Sequence, residues 1–313
     1  MRGEHGYLHV IPLPTAVHFK HKSLLSTTTR LVGEMAQAMC GLSFDVEELF
    51  HARLRGRFPF SLTREYYEAP YAIREIIRLL EAHEASATFF FVGDIVEKFP
   101  ELVNLVRQRG HEVAFHGYYH KPLWELGPDG LKAELMAFRE LVGDFKGFRA
   151  PTFSLNNRTI WAIEVMEQAG LTYDSSVFPV RALLYGVPRA PIKPYRPSKK
   201  DLRLEDPSTQ LLELPPLIYQ LCGFRLPAAG GFYARILPTS ILIRAIMKRM
   251  KEGCPAILFF HTWEVCPVRR WLQMGLADNL LKKLFIHKSR KVLERLLTRF
   301  KFVSLIELAE EWG

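Results

Sequence analysis

Side chains of reactive types stand at the ends of apolar runs in this sequence. Asp45 and Glu47 follow Leu42-Ser-Phe44. Strand alternation puts both on one side and Val46 on the other. Two carboxylates held on one side are costly without a cation or a shared proton. His116 and His120 stand four residues apart around Gly117, and two neutral imidazoles with a carboxylate suit Zn²⁺ and related divalent ions. Arg149, directly after an apolar strand, calls for a carboxylate, and Asp45 is the candidate. Asp174 and the run His261-Thr262-Trp263-Glu264 complete the set. Each has an ordinary reading as a cap or a satisfied core residue. Their recurrence at successive strand ends points instead to metal-assisted acid–base chemistry.

The elements that must position them alternate from Leu42 onward. Pro70–Leu80 has the apolar period of a helix with Pro in its first turn. Ala87–Val92 is an apolar aromatic run suited to a strand buried on both faces. A helix from Pro100, a strand over His111–His116, a helix over Leu131–Val142, a short strand at Phe148-Arg149 and a helix over Arg158–Gln168 follow. After them come a helix over Ser240–Lys251, the strand Ala256–Phe260, a basic helix over Ser289–Phe300 and a last helix from Leu305. Such βα repetition makes a parallel sheet, a barrel or a doubly wound one, with function at the strands' carboxyl ends. Gly186–Pro207, rich in Pro, interrupts the pattern and reads as a functional or disordered loop.

Taken in order, Phe-Asp-Val-Glu-Glu48, Ala87-Thr-Phe-Phe-Phe-Val-Gly93, His116-Gly-Tyr-Tyr-His120, Phe148-Arg-Ala-Pro-Thr-Phe153, Tyr173-Asp-Ser-Ser-Val-Phe-Pro179, Leu226-Pro-Ala-Ala-Gly-Gly-Phe-Tyr-Ala-Arg235 and Phe259-Phe-His-Thr-Trp-Glu264 resemble the NodB-homology polysaccharide deacetylases, carbohydrate esterase family 4. The resemblance spans roughly Leu42–Leu305 and leans toward the subgroup tied to exopolysaccharide biosynthesis. It implies a distorted (β/α) barrel of about seven strands and a metal-dependent N-deacetylase acting on an amino-sugar polysaccharide or a lipid-linked oligosaccharide. Within it, Glu47, His116 and His120 hold the metal, most simply Zn²⁺, with Co²⁺ or another divalent ion as alternatives. Asp45 is the general base and Arg149 orients it. His261 is the general acid, with Asp174 beside it favouring imidazolium. A backbone N–H near Phe153 faces the oxyanion. Phe153, Gly231, Arg235, Trp263 and Glu264 contact substrate. The family's first motif has two adjacent Asp, whereas this chain has Asp-Val-Glu-Glu, so Glu48 competes with Glu47 as ligand. A barrel hydrolase of another non-peptide C–N bond, such as a cyclic amide in an allantoinase-like reaction, and a catalytically silent carbohydrate-binding relative are the other readings.

Composition sets the remaining bounds. With 48% hydrophobic and 24% charged residues in 313, the chain can fill a large core without disulfides. Cys40, Cys222, Cys254 and Cys266 include no Cys-x-x-Cys pair and read as reduced apolar fillers. No apolar run reaches the ~20 residues of a membrane span, and the N-terminus lacks the features of a secretory signal. The expectation is a cytoplasmic protein, with a peripheral position at the inner membrane face as the second expectation. Residues 1–38 read as an extension outside the core, with Met39 as an alternative start, and 39–313 as one barrel domain. The net charge of +9 is regional: 235–301 holds fifteen Lys and Arg against four Asp and Glu. Residues 282–299 therefore read as a surface for anionic lipid. No nucleic-acid partner is expected, because the cations lack interleaved aromatics.

Overall fold

The computed structural model describes residues 40–51, 63–181, 185–266 and 285–313. The extension assigned to residues 1–38, the alternative start Met39, and Lys282 and Lys283 of the basic segment lie outside the described residues. In chain order, β1 (Cys40–Val46) is followed by α1 (Ala69–Glu81), β2 (Thr88–Phe91), α2 (Gly93–Lys98), α3 (Glu101–Gln108), β3 (Glu112–Phe115) and α4 (Leu123–Val142). Next come β4 (Gly147–Phe148), α5 (Ala162–Gln168), β5 (Tyr173–Asp174), β6 (Leu212–Glu213), the strands β7 (Ile218–Leu221) and β8 (Phe224–Pro227), and α6 (Gly231–Ile236). The chain closes with α7 (Thr239–Lys251), β9 (Ala256–His261), α8 (Thr262–Val265), α9 (His287–Leu297), β10 (Phe302–Val303) and α10 (Leu305–Trp312).

The sheet is parallel throughout, in the order β9-β1-β2-β3-β4-β5-β6, with β10 beside the first residues of β1. It curls into a half-barrel. Among the described residues β6 and β9 do not pair as strands. The amide of Leu217, just past β6, reaches the Ile257 carbonyl of β9 at 2.8 Å across that gap. Burial on both faces explains why β1 and β2 read as unbroken apolar runs: every residue in both is buried. In α1, Ala69, Ala72, Ile73, Ile76, Ile77 and Leu80 form the core-facing stripe.

Three expectations change here. The helix foreseen over Leu131–Val142 begins at Leu123 and breaks at Gly127, whose φ of 66° lets Pro128 open a new turn. The Pro-rich stretch is a cover rather than an open loop. Tyr195 exchanges both backbone hydrogen bonds with Glu213 (3.1 and 2.8 Å) and so protects the edge strand β6. Cys40 and Cys266 are buried fillers, but Cys222 is exposed at the β7–β8 turn.

Candidate metal and catalytic centre

The site grows from strand register. Asp45 lies opposite Phe90 of β2 on one side and His261 of β9 on the other. Glu47 follows as β1 ends. His116 follows β3, its amide bonded to the Phe91 carbonyl at 2.8 Å. Left-handed Gly117 (φ 75°) and His120 (φ 55°) fold the next residues back on themselves. That turn brings the two imidazole centroids to 5.0 Å.

Ligand atoms of Glu47, His116 and His120 all lie within 4.8 Å of one another. The carbonyl of Arg149, which can only accept, stands 2.7 Å from His116 Nδ1. The proton is therefore on Nδ1 and the lone pair on Nε2, the arrangement of a metal-ligating histidine. Glu47 Oε2 is buried without a directed hydrogen bond, although His120 Nε2 approaches it to 2.7 Å. Trp263 Nε1 donates to Glu47 Oε1 at 3.2 Å. Burial alone would raise the Glu47 carboxyl, but His120, His261 and His116 outweigh it and hold it well below its usual range. Burial, reinforced by His120 and opposed by Asp45, lowers His116 to about 4. An ionised carboxylate, a neutral imidazole and an orphaned buried oxygen fit a divalent cation.

Glu48 does something else. Its Oε1 accepts the amides of Glu68 and Ala69, both at 2.7 Å, and caps the N-terminus of α1. Burial raises its carboxyl to about 8. Strand alternation thus sends Glu47 to the histidines and Glu48 to the helix.

Arg149, fully buried, donates from Nη1 to Asp45 Oδ1 (2.7 Å) and Ser43 Oγ (2.9 Å), and its other nitrogens reach the carbonyl and Oγ of Ser175. The other carboxylate oxygen of Asp45 is 4.0 Å from His116 Nε2 and 3.9 Å from His261 Nε2.

The partner of His261 is Glu264, not Asp174. Glu264 Oε2 lies 2.8 Å from His261 Nδ1 and also accepts the His261 amide at 3.0 Å, while Arg235 braces Oε1 at 2.9 Å from inside the fold. Trp263 stacks on the imidazole at 5.0 Å. Burial disfavours the imidazolium, but Glu264, Glu47 and Asp45 overcome it and raise His261 to about 9. Asp174 is instead directly opposite Glu213 in the β5–β6 register and accepts a hydrogen bond from Ser176. Burial raises both carboxyls, and Asp174 raises that of Glu213 further, which favours one proton shared by the pair.

These groups open into a cleft of about 340 Å³ whose wall includes Thr152, Phe153, Gly231, Tyr185, Phe232, Tyr233, Phe259 and Trp124. Phe153 and Gly231 reach it as expected. Arg235, Trp263 and Glu264 do not line it, because they stand behind His261 and position it. The amide of Phe153 is taken by the Ala150 carbonyl at 3.0 Å. The neighbouring Thr152, left-handed at φ 55°, faces the cleft instead. Trp124, Tyr185, Phe232, Tyr233 and Phe259 were missed as wall residues. Only Phe232 and Tyr233 had a readable signal, directly after two glycines.

Gly231 has no room for a side chain. A Cβ there would fall 1.9 Å from Glu264 Oε2. Gly231→Ala is expected to push Glu264 off His261 and lower the imidazole's pKa. The check is the NMR titration of His261 in the two proteins; an unmoved titration would refute the arrangement.

Comparison with known proteins follows from this geometry. Residues 62–173 match the polysaccharide deacetylase family and 175–310 match a domain of unknown function (DUF3473). The described sheet joins strands from both segments. The chain is 31% identical over 97 residues to a peptidoglycan-N-acetylglucosamine deacetylase of Bacillus cereus, covering 29% of this chain and 35% of that protein. It is 27% identical over 124 residues to a peptidoglycan deacetylase of Helicobacter pylori, covering 38% and 41%. A chitooligosaccharide deacetylase of Rhizobium leguminosarum is 32% identical over 73 residues, covering 23% and 34%. The matches therefore span only about a third to two fifths of these curated relatives. A crystal structure from Mycobacterium smegmatis, assigned as a polysaccharide deacetylase, shares the fold with a TM-score of 0.56 at 16% identity, over 88% of this chain and 90% of that one.

Proposed function

Because this chain belongs to the polysaccharide deacetylase family, we propose that it hydrolyses the N-acetyl amide of an amino sugar within a glycan, releasing acetate and leaving a free amine. The observation that carries this reading is the Glu47–His116–His120 cluster, set beside Asp45 on one side and His261 on another. Glu47, His116 and His120 would hold a divalent cation, with Zn²⁺ as the first choice, which would supply Lewis acidity toward the amide carbonyl and lower the pKa of water. Asp45, kept ionised and aimed by Arg149, takes the proton of the attacking water. We assign the oxyanion contact to the Thr152 amide, since Thr152 lines the cleft while the Phe153 amide is taken by Ala150. His261, kept protonated by Glu264, delivers a proton from Nε2 to the departing amine.

The aromatic wall supports a saccharide substrate, since sugar rings stack their apolar faces on such side chains. The exposed cations Lys288, Lys291 and Arg295 of α9 support the finer reading of a lipid-linked oligosaccharide, handled at the cytoplasmic membrane face during exopolysaccharide synthesis. The intact acid–base set argues against a silent binding relative.

The deciding experiment is acetate release from N-acetylated chito-oligosaccharides and peptidoglycan fragments. Activity should vanish with chelator and return with Zn²⁺ or Co²⁺. Release that ignores chelator would overturn the reading.

A further inference from the structure

The β7–β8 hairpin carries its apolar side outward. Its register pairs Tyr219 with Leu226 and Leu221 with Phe224, so alternation places these four side chains on one face, Tyr219 packing against the core at its base and the other three reaching outward. Phe224 is 79% exposed, Leu221 56% and Leu226 37%. The other face belongs to the protein body: Ile218 is buried, and Arg225 donates to the carbonyls of Pro179 and Ala190. A ribbon of ordinary polarity would bury Leu and Phe and show Arg to water. Left-handed Cys222 (φ 48°) and Gly223 (φ 80°) make the tight two-residue turn that carries Leu221 and Phe224 to the tip. Single exposed apolar residues are ordinary, but a contiguous face of them marks a docking surface.

The charge beside the hairpin identifies what docks. Helix α7 lies against it, with Lys248 Nζ bonded to the Gln220 carbonyl at 2.6 Å. Arg244, Lys248 and Lys251 recur along one side of α7, all exposed, and no ion pair neutralises them among the described residues. Self-association about a two-fold axis near α7 would bring these cations close to their own copies. An anionic bilayer offers an apolar interior behind a layer of phosphates, matching the tip and its cationic flank. No helix among the described residues is long and apolar enough to cross a membrane, so the contact is superficial.

We propose that the β7–β8 hairpin and α7 dock this protein onto anionic lipid, with Leu221 and Phe224 entering the acyl boundary and Arg244, Lys248 and Lys251 meeting lipid phosphates. The proposal is independent of the reaction assigned above. Since β8 runs through Ala228 and Ala229 into Gly230 and Gly231 of the cleft, docking holds that lip of the site near the lipid surface.

The test is co-sedimentation of the full chain with phosphatidylglycerol–phosphatidylethanolamine vesicles against phosphatidylcholine vesicles. Binding should require the anionic lipid and weaken with salt. Leu221→Ser/Phe224→Ser and, separately, Lys248→Glu/Lys251→Glu should each weaken it about tenfold or more. Both should keep the wild-type near-ultraviolet circular dichroism and acetate release from a soluble substrate. A polarity-sensitive fluorophore on the exposed Cys222, in a Cys254→Ser background, should shift to the blue only with anionic vesicles. Failure of the full chain to bind, or equal binding by the Leu221→Ser/Phe224→Ser protein, overturns the proposal. Concentration-dependent dimerisation abolished by that same double substitution would assign the face to a second copy and overturn it too.

Discussion

Asp45→Asn is expected to cut acetate release about a thousandfold, within the range of one positioned acid–base group, while leaving metal content unchanged. The argument is geometric. One carboxylate oxygen of Asp45 is committed to Arg149, and the other lies 4.0 Å and 3.9 Å from His116 and His261 Nε2. Asn retains an acceptor for Arg149 but has no basic oxygen for the attacking water. It also leaves the buried guanidinium with a neutral partner, so stability should fall by about 1–3 kcal/mol. Steady-state kinetics, metal analysis and thermal melts separate these effects. Activity within threefold of wild type, in a folded and metal-loaded Asp45→Asn protein, would exclude Asp45 as the base.

The second large effect sets Glu47 against its neighbour. Glu47→Gln should weaken Zn²⁺ binding by at least about a hundredfold, since loss of an outer partner alone costs 10–100-fold. Acetate release at limiting metal should disappear with it. Glu48→Gln should leave metal affinity within a few fold, because its carboxyl faces the Glu68 and Ala69 amides. Its effect should be confined to stability, about 1 kcal/mol for a helix cap. Competition with a chromogenic chelator measures both affinities. A reversed ranking would move the ligand to Glu48.

What could be read from the sequence, and what could not, follows from the range of each interaction. Alternation along a single strand is local, so Asp45 and Glu47 sharing a face needed nothing beyond β1. Arg149 and Asp45 could be matched because a buried guanidinium has few chemical alternatives. Repeated βα units implied a parallel sheet and left a barrel and a doubly wound form open; the family resemblance favoured the barrel. Pairing between strands far apart in sequence was another matter. Asp174 faces Glu213 because β5 and β6 align across a long irregular segment, and no local pattern reveals that register. Its assignment to His261 failed for that reason, and Glu264, three residues from His261, took the place. Arg235, Trp263 and Glu264 were expected to contact substrate on the family resemblance alone. Burial turned them inward, where they brace His261. The aromatic wall drew on loops whose shape depends on tertiary packing, so Trp124 and Tyr185 gave no advance signal.

Arg149 has a consequence for motion. Its side chain grips Asp45, and its own carbonyl fixes the ring of His116. A displacement of the backbone at Arg149, directly after β4, would therefore reach Asp45 and His116 together, each through a hydrogen bond to that one residue.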